Sequence, residues 1–207
     1  MASAAPSIPQ GLRRTTSEEE RFYCKTQIPD IAGTYSGAVI IVGGGKTMWE
    51  ELEAVNVISK HHDIIAVNIA GMLLPRVDHL FSWHKKQISL ISKFRYVEYP
   101  GEKHLCHSVN YLEGLDYTWF ITGQSSTSGL SSIHLAWLLG YKKIILVGVP
   151  LDGSGYFYKP SINKCLGDND RGKEIDRMYN DFKDNVRSMS GRTKEVFGSP
   201  DTKWIRS

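Results

Sequence analysis

Several short stretches of this sequence combine side chains and glycines in the way a ligand site would need. Gly43-Gly44-Gly45 follows an apolar run, Asn68 lies in a second one, and His84 closes the segment Phe81-Ser82-Trp83-His84. Ser125-Ser126-Thr127-Ser128-Gly129 precedes an apolar, helix-like segment, and Asp152 opens a loop carrying Tyr156 and Tyr158. Glycines after a buried strand let backbone come close to a ligand, so Gly43, Gly44 and Gly45 are candidate contacts. A hydroxyl-rich turn at a helix start offers unpaired backbone N–H groups and the positive end of the helix dipole. Its hydroxyls can cap the helix or donate to phosphate oxygens. Ser126, Thr127, Ser128 and Gly129 are therefore candidate phosphate ligands. A buried amide such as Asn68 needs partners, from neighbouring loops or from the base or sugar of a ligand. His84, beside the cation of Lys85, could act as general base or meet a phosphate. Asp152 could hold a ribose hydroxyl or a divalent ion, or open a loop turn. Tyr156 and Tyr158 could close over a ligand or pack against their neighbours.

Two familiar nucleotide motifs are excluded. In Gly43-Gly44-Gly45-Lys46-Thr47 a triphosphatase loop would need glycine at Ile40, and a dinucleotide fingerprint would need it at Met48. No pair of histidines has metal-binding helical spacing. Arg187 and Arg192 could approach a phosphate or form surface ion pairs.

The elements that must position these groups alternate. Residues 38–45 read as a buried parallel strand running into a glycine loop, and 47–60 as a helix with Thr47 at its N-cap. A strand is predicted over 63–70, a shorter one over 78–84, a helix over 85–93, and a fourth strand over 95–100 closed by Pro100. Residues 101–116 show no pattern. A strand over 118–123 leads into the serine turn, followed by a helix over 130–139 and a strand over 144–149, a β-α-β unit with a right-handed crossover. The loop 153–170 has the length of a functional or mobile segment. An amphipathic helix over 171–186 and a tail with Trp204-Ile205 docking back complete the chain. The fold class is α/β, Rossmann-like, a mostly parallel sheet with helices on both faces. Residues 1–20 read as a flexible tail and 21–207 as a single domain.

At 207 residues and 41% hydrophobic content the chain can build one sizeable core. A net charge of +3 with interspersed signs permits a phosphorylated small molecule but gives no nucleic-acid face. The 3 cysteines form no C-x-x-C pair, no apolar run could span a bilayer, and no membrane partner is expected. The reading is a cytoplasmic protein with a nucleotide ligand, no certain cofactor and no metal.

Taken together, IIVGGG, IIAVNIA and SSTSGLSSIHLAWLLGYKKIILVGVPLD resemble a bacterial Rossmann-like group. It contains the small sialyltransferases, motility-associated-factor proteins and 6-hydroxymethylpterin diphosphokinase-like proteins. VDHLFSWH with VRSMSGRTKEVFGSPDTKWI is more closely similar to an uncharacterised bacteriophage and prophage family, which would place the protein in the cytoplasm of a bacterial host. The sialyltransferase likeness implies a CMP-sugar along the strand ends, with the glycine loop, Asn68 and residues 126–129 on nucleotide and phosphate. It also implies Tyr156 and Tyr158 on the departing phosphate. The chain departs from that pattern in having no histidine beyond His134 and in reading Gly148-Val149-Pro150-Leu151-Asp152 where the group reads Gly-Ile-Asp. His84 is then the candidate base. The expected function is a glycosyltransferase-like enzyme acting on a nucleotide sugar. The alternatives are a Mg-dependent pyrophosphoryl transferase or hydrolase, with Asp152 and then Asp78 as carboxylates, and a non-catalytic phage-encoded binder of a nucleotide or host factor.

Overall fold

The computed structural model describes residues 29–58, 62–109, 115–119, 127–158 and 168–207. Strands β1 (Ala38–Val42), β2 (Asp63–Val67), β3 (His79–Ser82), β4 (Leu105–Ser108), β5 (Tyr117–Thr118), β6 (Lys143–Val147) and β7 (Val186–Ser188) form one sheet in the order β5-β4-β3-β2-β1-β6-β7. Every pairing between them is parallel. The strands read as apolar runs because both faces are covered. Val39, Ile41, Ile65, Val67, Phe81, Ile144 and Leu146 point to one side, under the helices α3 (Ser128–Leu139) and α4 (Asp168–Phe182). Ile40, Val42, Ala66, Leu80, Ile145 and Val147 point to the other, under α1 (Met48–Ile58) and α2 (Lys85–Glu98). Each such aliphatic side chain contributes about 1.5–3 kcal/mol when fully buried. The α/β, Rossmann-like expectation therefore holds, with the sheet parallel throughout.

The chain leaves β1 for β2 on one side, and β6 pairs on the other. The carboxyl ends of β1 and β6 therefore diverge into a crevice, the place where ligands bind open parallel sheets.

Several predicted boundaries move. Residues 95–98 belong to α2 and not to a strand, because Ile88, Ile91 and Arg95 recur at helical spacing and are all buried. Arg95 donates to the carbonyls of Gly71 (2.7 Å) and Leu74 (2.8 Å) and pairs with Glu102. A basic side chain thus becomes a core clamp, which β-propensity does not anticipate. Strand β4 lies in the stretch that showed no pattern. Strand β2 stops at Val67, and Asn68–Met72 forms a 3-10 turn. Of the strand predicted over 118–123 only Thr118 and Trp119 are described, and β5 ends at Thr118; residues 120–123 lie outside the described residues. The expected tail contains β7, α5 (Gly191–Phe197) and α6 (Thr202–Arg206). Trp204 does dock back, donating to the Asp184 carbonyl between the cations of Lys143 and Arg187. The expected tail 1–20 lies outside the described residues.

The amino end of the sheet holds a buried relay. Trp119 Nε1 donates to His107 Nδ1 (2.9 Å), which leaves the His107 proton on Nε2, facing His79 Nδ1 at 3.0 Å. The His79 proton then sits on Nε2, 3.1 Å from the Tyr141 hydroxyl, and Tyr141 donates to Asp63 Oδ2 at 2.6 Å. All four bonds run in one direction only while both imidazoles are neutral. Burial lowers His79 to about 4 and His107 well below its ordinary value. The Asp63 and Asp78 charges act on His79 in the opposite sense and lose to burial. No helix among the described residues is long and apolar enough to cross a membrane.

Candidate functional site

The crevice is lined by the glycine loop, Asn68, the first turn of α2, the start of α3, and the loop 148–158. Three sequence-distant segments, marked by Gly44, Asn68 and Ser128, therefore meet around one cavity of about 190 Å³. That is below the roughly 300–1,000 Å³ of a pocket enclosing a drug-sized ligand. A cavity of this size can enclose a small group, while a larger ligand would extend into the mouth.

The glycine loop divides by role. Gly43 N–H donates to Val147 O (2.8 Å) and Gly45 N–H to Gly148 O (2.8 Å), so neither is free for a ligand. A Cβ on Gly43 would lie 2.6 Å from Gly148 O, and one on Gly45 2.7 Å from Pro150 Cδ. These two glycines let the loop lie against the extension of β6. Both line the cavity, but their N–H donors are spent on the extension of β6. None of the three has a positive φ, so a left-handed turn is not their reason either. Gly44 differs. A Cβ there would meet Tyr158 Cε1 at 3.2 Å and Tyr156 Cδ1 at 3.6 Å, and its N–H has no acceptor among the described residues.

Tyr156 and Tyr158 stand side by side over Gly44, ring centroids 5.2 Å apart and 23° from parallel. Phe157 between them packs edge-on against Tyr158 (5.0 Å) and also meets Trp49 (6.5 Å). The Gly45–Tyr156 bridge and the Phe157 N–H to Gly44 O bond (3.2 Å) hold them in place. The two tyrosine residues remain 38% and 44% exposed, enough for a ligand to touch them. Burial, then the neighbouring Tyr156, raises the Tyr158 hydroxyl pKa, so it acts as a neutral donor.

Asn68 sits at φ 54, a left-handed conformation asparagine tolerates better than most residues. Ser82 Oγ donates to its Oδ1 at 2.7 Å and accepts the His84 backbone N–H at 3.0 Å. That fixes the amide with its carbonyl toward β3. Its NH₂ has no partner among the described residues, and Asn68 lines the cavity.

At the start of α3, Thr127 Oγ1 accepts from Leu130 N (3.2 Å), the capping role. Ser128 Oγ accepts the Trp83 N–H (3.2 Å), tying this turn to the α2 side of the crevice. Gly129 is required by packing, since a Cβ would lie 2.8 Å from Val149 Cγ1. The Ser128 and Gly129 N–H groups lie in the first turn and have no intrahelical acceptor. Ser126 lies outside the described residues.

His84 is exposed at the N-terminus of α2 and lines the cavity, with no side-chain partner among the described residues. Asp152 also lines it, and its Oδ1 accepts the Ser154 N–H at 2.9 Å, the turn-opening role. Asp78 is elsewhere. It accepts from Ile64 N (2.8 Å) and pairs with Arg76 at the amino end of the sheet, so it cannot join Asp152 on a metal. No group of three His, Cys, Asp or Glu able to hold a metal ion occurs among the described residues. Arg192 pairs with Glu195, and Arg187 donates to the Lys183 carbonyl; neither lines the crevice.

Sequence reasoning missed the parts that hold this geometry. Glu51, 7% exposed, accepts the Gly148 N–H at 2.8 Å and the Thr47 hydroxyl. Thr47 is therefore bound to Glu51 and not to the helix start. The i, i+4 spacing of Thr47 and Glu51 was the available signal. Leu151, on the crevice wall, has φ 50, a strained conformation for a bulky residue and one that clusters at functional sites. Thr193 stabilises that turn, donating to Val149 O at 2.6 Å. No protein-family model, no curated protein and no solved structure matches this chain.

Proposed function

We propose that the crevice binds a nucleotide sugar by its phosphate and that the protein is a glycosyltransferase-like enzyme. The observation that carries this reading is the set of neutral donors converging at the strand ends. They are the Asn68 amide, the Gly44 N–H, and the first-turn N–H groups of α3. The likeness to the sialyltransferase-like group adds to it. In such a transfer the acceptor oxygen attacks the anomeric carbon as the bond from that carbon to the phosphate oxygen breaks. The electron pair leaves with the nucleotide phosphate, and His84 takes the acceptor proton. Tyr158 or Tyr156 donates a hydrogen bond to the departing phosphate.

Among the described residues, no lysine or arginine lines the crevice. Neutral donors match a ligand carrying one negative charge at the phosphate, as in a nucleoside monophosphate ester, better than a diphosphate. The test is a thermal-shift panel of nucleotides and nucleotide sugars. Stabilisation by a monophosphate-linked sugar is expected, and no stabilisation by any of them at millimolar concentration removes the reading. A second reading, a non-catalytic nucleotide binder, is favoured by one observation: no carboxylate orients the His84 imidazole among the described residues. Ligand recovered intact after binding, with binding unaltered in His84→Ala, would select it.

A further inference from the structure

The outer face of α2 mixes lysines with exposed apolar side chains, and no described residue covers it. Ile88, Ile91 and Arg95 face the sheet, while Lys86, Leu90, Lys93 and Val97 recur at i, i+4, i+7 and i+11 on the opposite side. Leu90 is 58% exposed, Val97 68% and Tyr96, on the flank, 83%. Lys85, Lys86, Ser89, Leu90 and Lys93 surround a shallow hollow. None of the three lysines pairs with a carboxylate among the described residues. The helix's first turn holds no acidic residue.

This face is continuous with the crevice. His84 and Gln87 line the crevice, and Lys85, Lys86 and Ser89 line the hollow. Residues 84–89 span about 8 Å along a helix axis, so an extended chain lying on the hollow reaches the crevice mouth within about two or three residues.

We infer that this face docks an acidic polypeptide segment, one apolar side chain seated on Leu90 and carboxylates on the surrounding lysines. We further infer that this segment presents the acceptor hydroxyl to the crevice across His84. The inference rests on the glycosyl-transfer reading for the acceptor role and on the face alone for the docking. Charge complementarity selects an acidic occupant. The hollow selects a flexible chain over a bilayer, because a planar headgroup surface fills no hollow. Tyr96 and Val97 supply further apolar contact downstream.

The experiment is fluorescence anisotropy with a dye-labelled peptide of aspartates and glutamates around one leucine and one serine. An otherwise identical peptide of asparagines and glutamines is the control. The acidic peptide should bind at low salt and weaken as salt rises. Its affinity should fall about ten-fold in K86E/K93E, where two attractive contacts become repulsive, and by a smaller factor in Leu90→Gln. K86Q/K93Q, in which no like charges are created, serves where the reversal unfolds the chain. Equal binding of the control peptide, or unchanged binding in these variants, overturns the inference. Lysine-dependent binding to phosphatidylglycerol vesicles without peptide binding also overturns it, in favour of a membrane surface. Thermal shifts with nucleotide sugars on the same variants separate the two claims. Peptide binding without any nucleotide stabilisation leaves the docking face standing and removes the transferase reading.

Discussion

Acidification should unlock the amino end of the sheet before the rest of the fold. The relay from Trp119 through His107, His79 and Tyr141 to Asp63 needs two neutral imidazoles. A proton added to His79 Nδ1 would face the Nε2 proton of His107. Burial holds His79 at about 4 against an ordinary 6.5. The folded state therefore refuses a proton that the unfolded chain accepts, and stability present above pH 6.5 is lost as pH falls toward 4. At about 1.4 kcal/mol per tenfold, the full loss is about 3 kcal/mol. At pH 5 it is about 2 kcal/mol for this histidine. His134, also brought to about 4 by burial and then by Arg177, contributes a similar loss. The sum is a large part of the 5–15 kcal/mol a domain commonly has. The assay is urea unfolding at pH 7.5 and pH 5, on the wild type and on His79→Phe. The variant strands the His107 Nε2 proton, so it should be less stable at pH 7.5 by about 1–3 kcal/mol. It should lose less on acidification, because the titrating group is gone. Parallel losses in the two proteins, or a histidine signal at this position titrating near 6.5, would refute the relay.

The crevice yields the remaining predictions. Asn68→Asp keeps shape and the tolerated left-handed backbone but replaces the NH₂ donor with a charged acceptor. Nucleotide-sugar stabilisation should disappear, while the melting temperature without ligand changes little. Gly44→Ala should fold and alter ligand affinity, because the Cβ presses only on the Tyr158 and Tyr156 rings. Gly43→Ala presses on backbone at 2.6 Å, and overpacking of this kind costs about 1–3 kcal/mol, read by urea unfolding. Glu102→Ala removes the ion-pair partner of the fully buried Arg95. Breaking such a pair costs about 3–5 kcal/mol, and calorimetry should show it.

The sheet was legible because five of its strands, β1, β2, β3, β5 and β6, fall in or beside apolar runs bounded by turn residues. The crevice was legible because a parallel sheet collects its loop residues at the carboxyl ends. Four features were not. β7, Val186–Ser188, fell at the join of a predicted helix and an expected tail, with too short an apolar run to read as a strand. β4, Leu105–Ser108, has His107 in its middle, and only the relay makes an imidazole a core residue there. Arg95 looks like a surface cation until Gly71, Leu74 and Glu102 surround it. The glycine loop looks like a phosphate cradle, yet two of its three N–H groups are consumed by the β6 extension, a pairing that depends on a segment about a hundred residues away in sequence.

That spent backbone explains why the site depends on struts. Once Gly43 and Gly45 are committed, the available donors are few, and each must point into the cavity before a ligand arrives. Ser82 sets the face of the Asn68 amide, and Arg95 holds the 3-10 turn carrying it by the Gly71 carbonyl and the segment just after it by the Leu74 carbonyl. Glu51 occupies the Gly148 N–H, which keeps that strand end fixed and leaves the α3 side with the unpaired N–H groups an anion would need. Ser128 ties the α3 start to Trp83 and so to the loop before His84. None of these links needs a ligand to form, so little ordering cost remains at binding. Removing a strut that never touches the ligand should therefore weaken binding much as removing a donor does. Ser82→Ala is the cleanest instance, because it frees the Asn68 amide to rotate while leaving every donor in place.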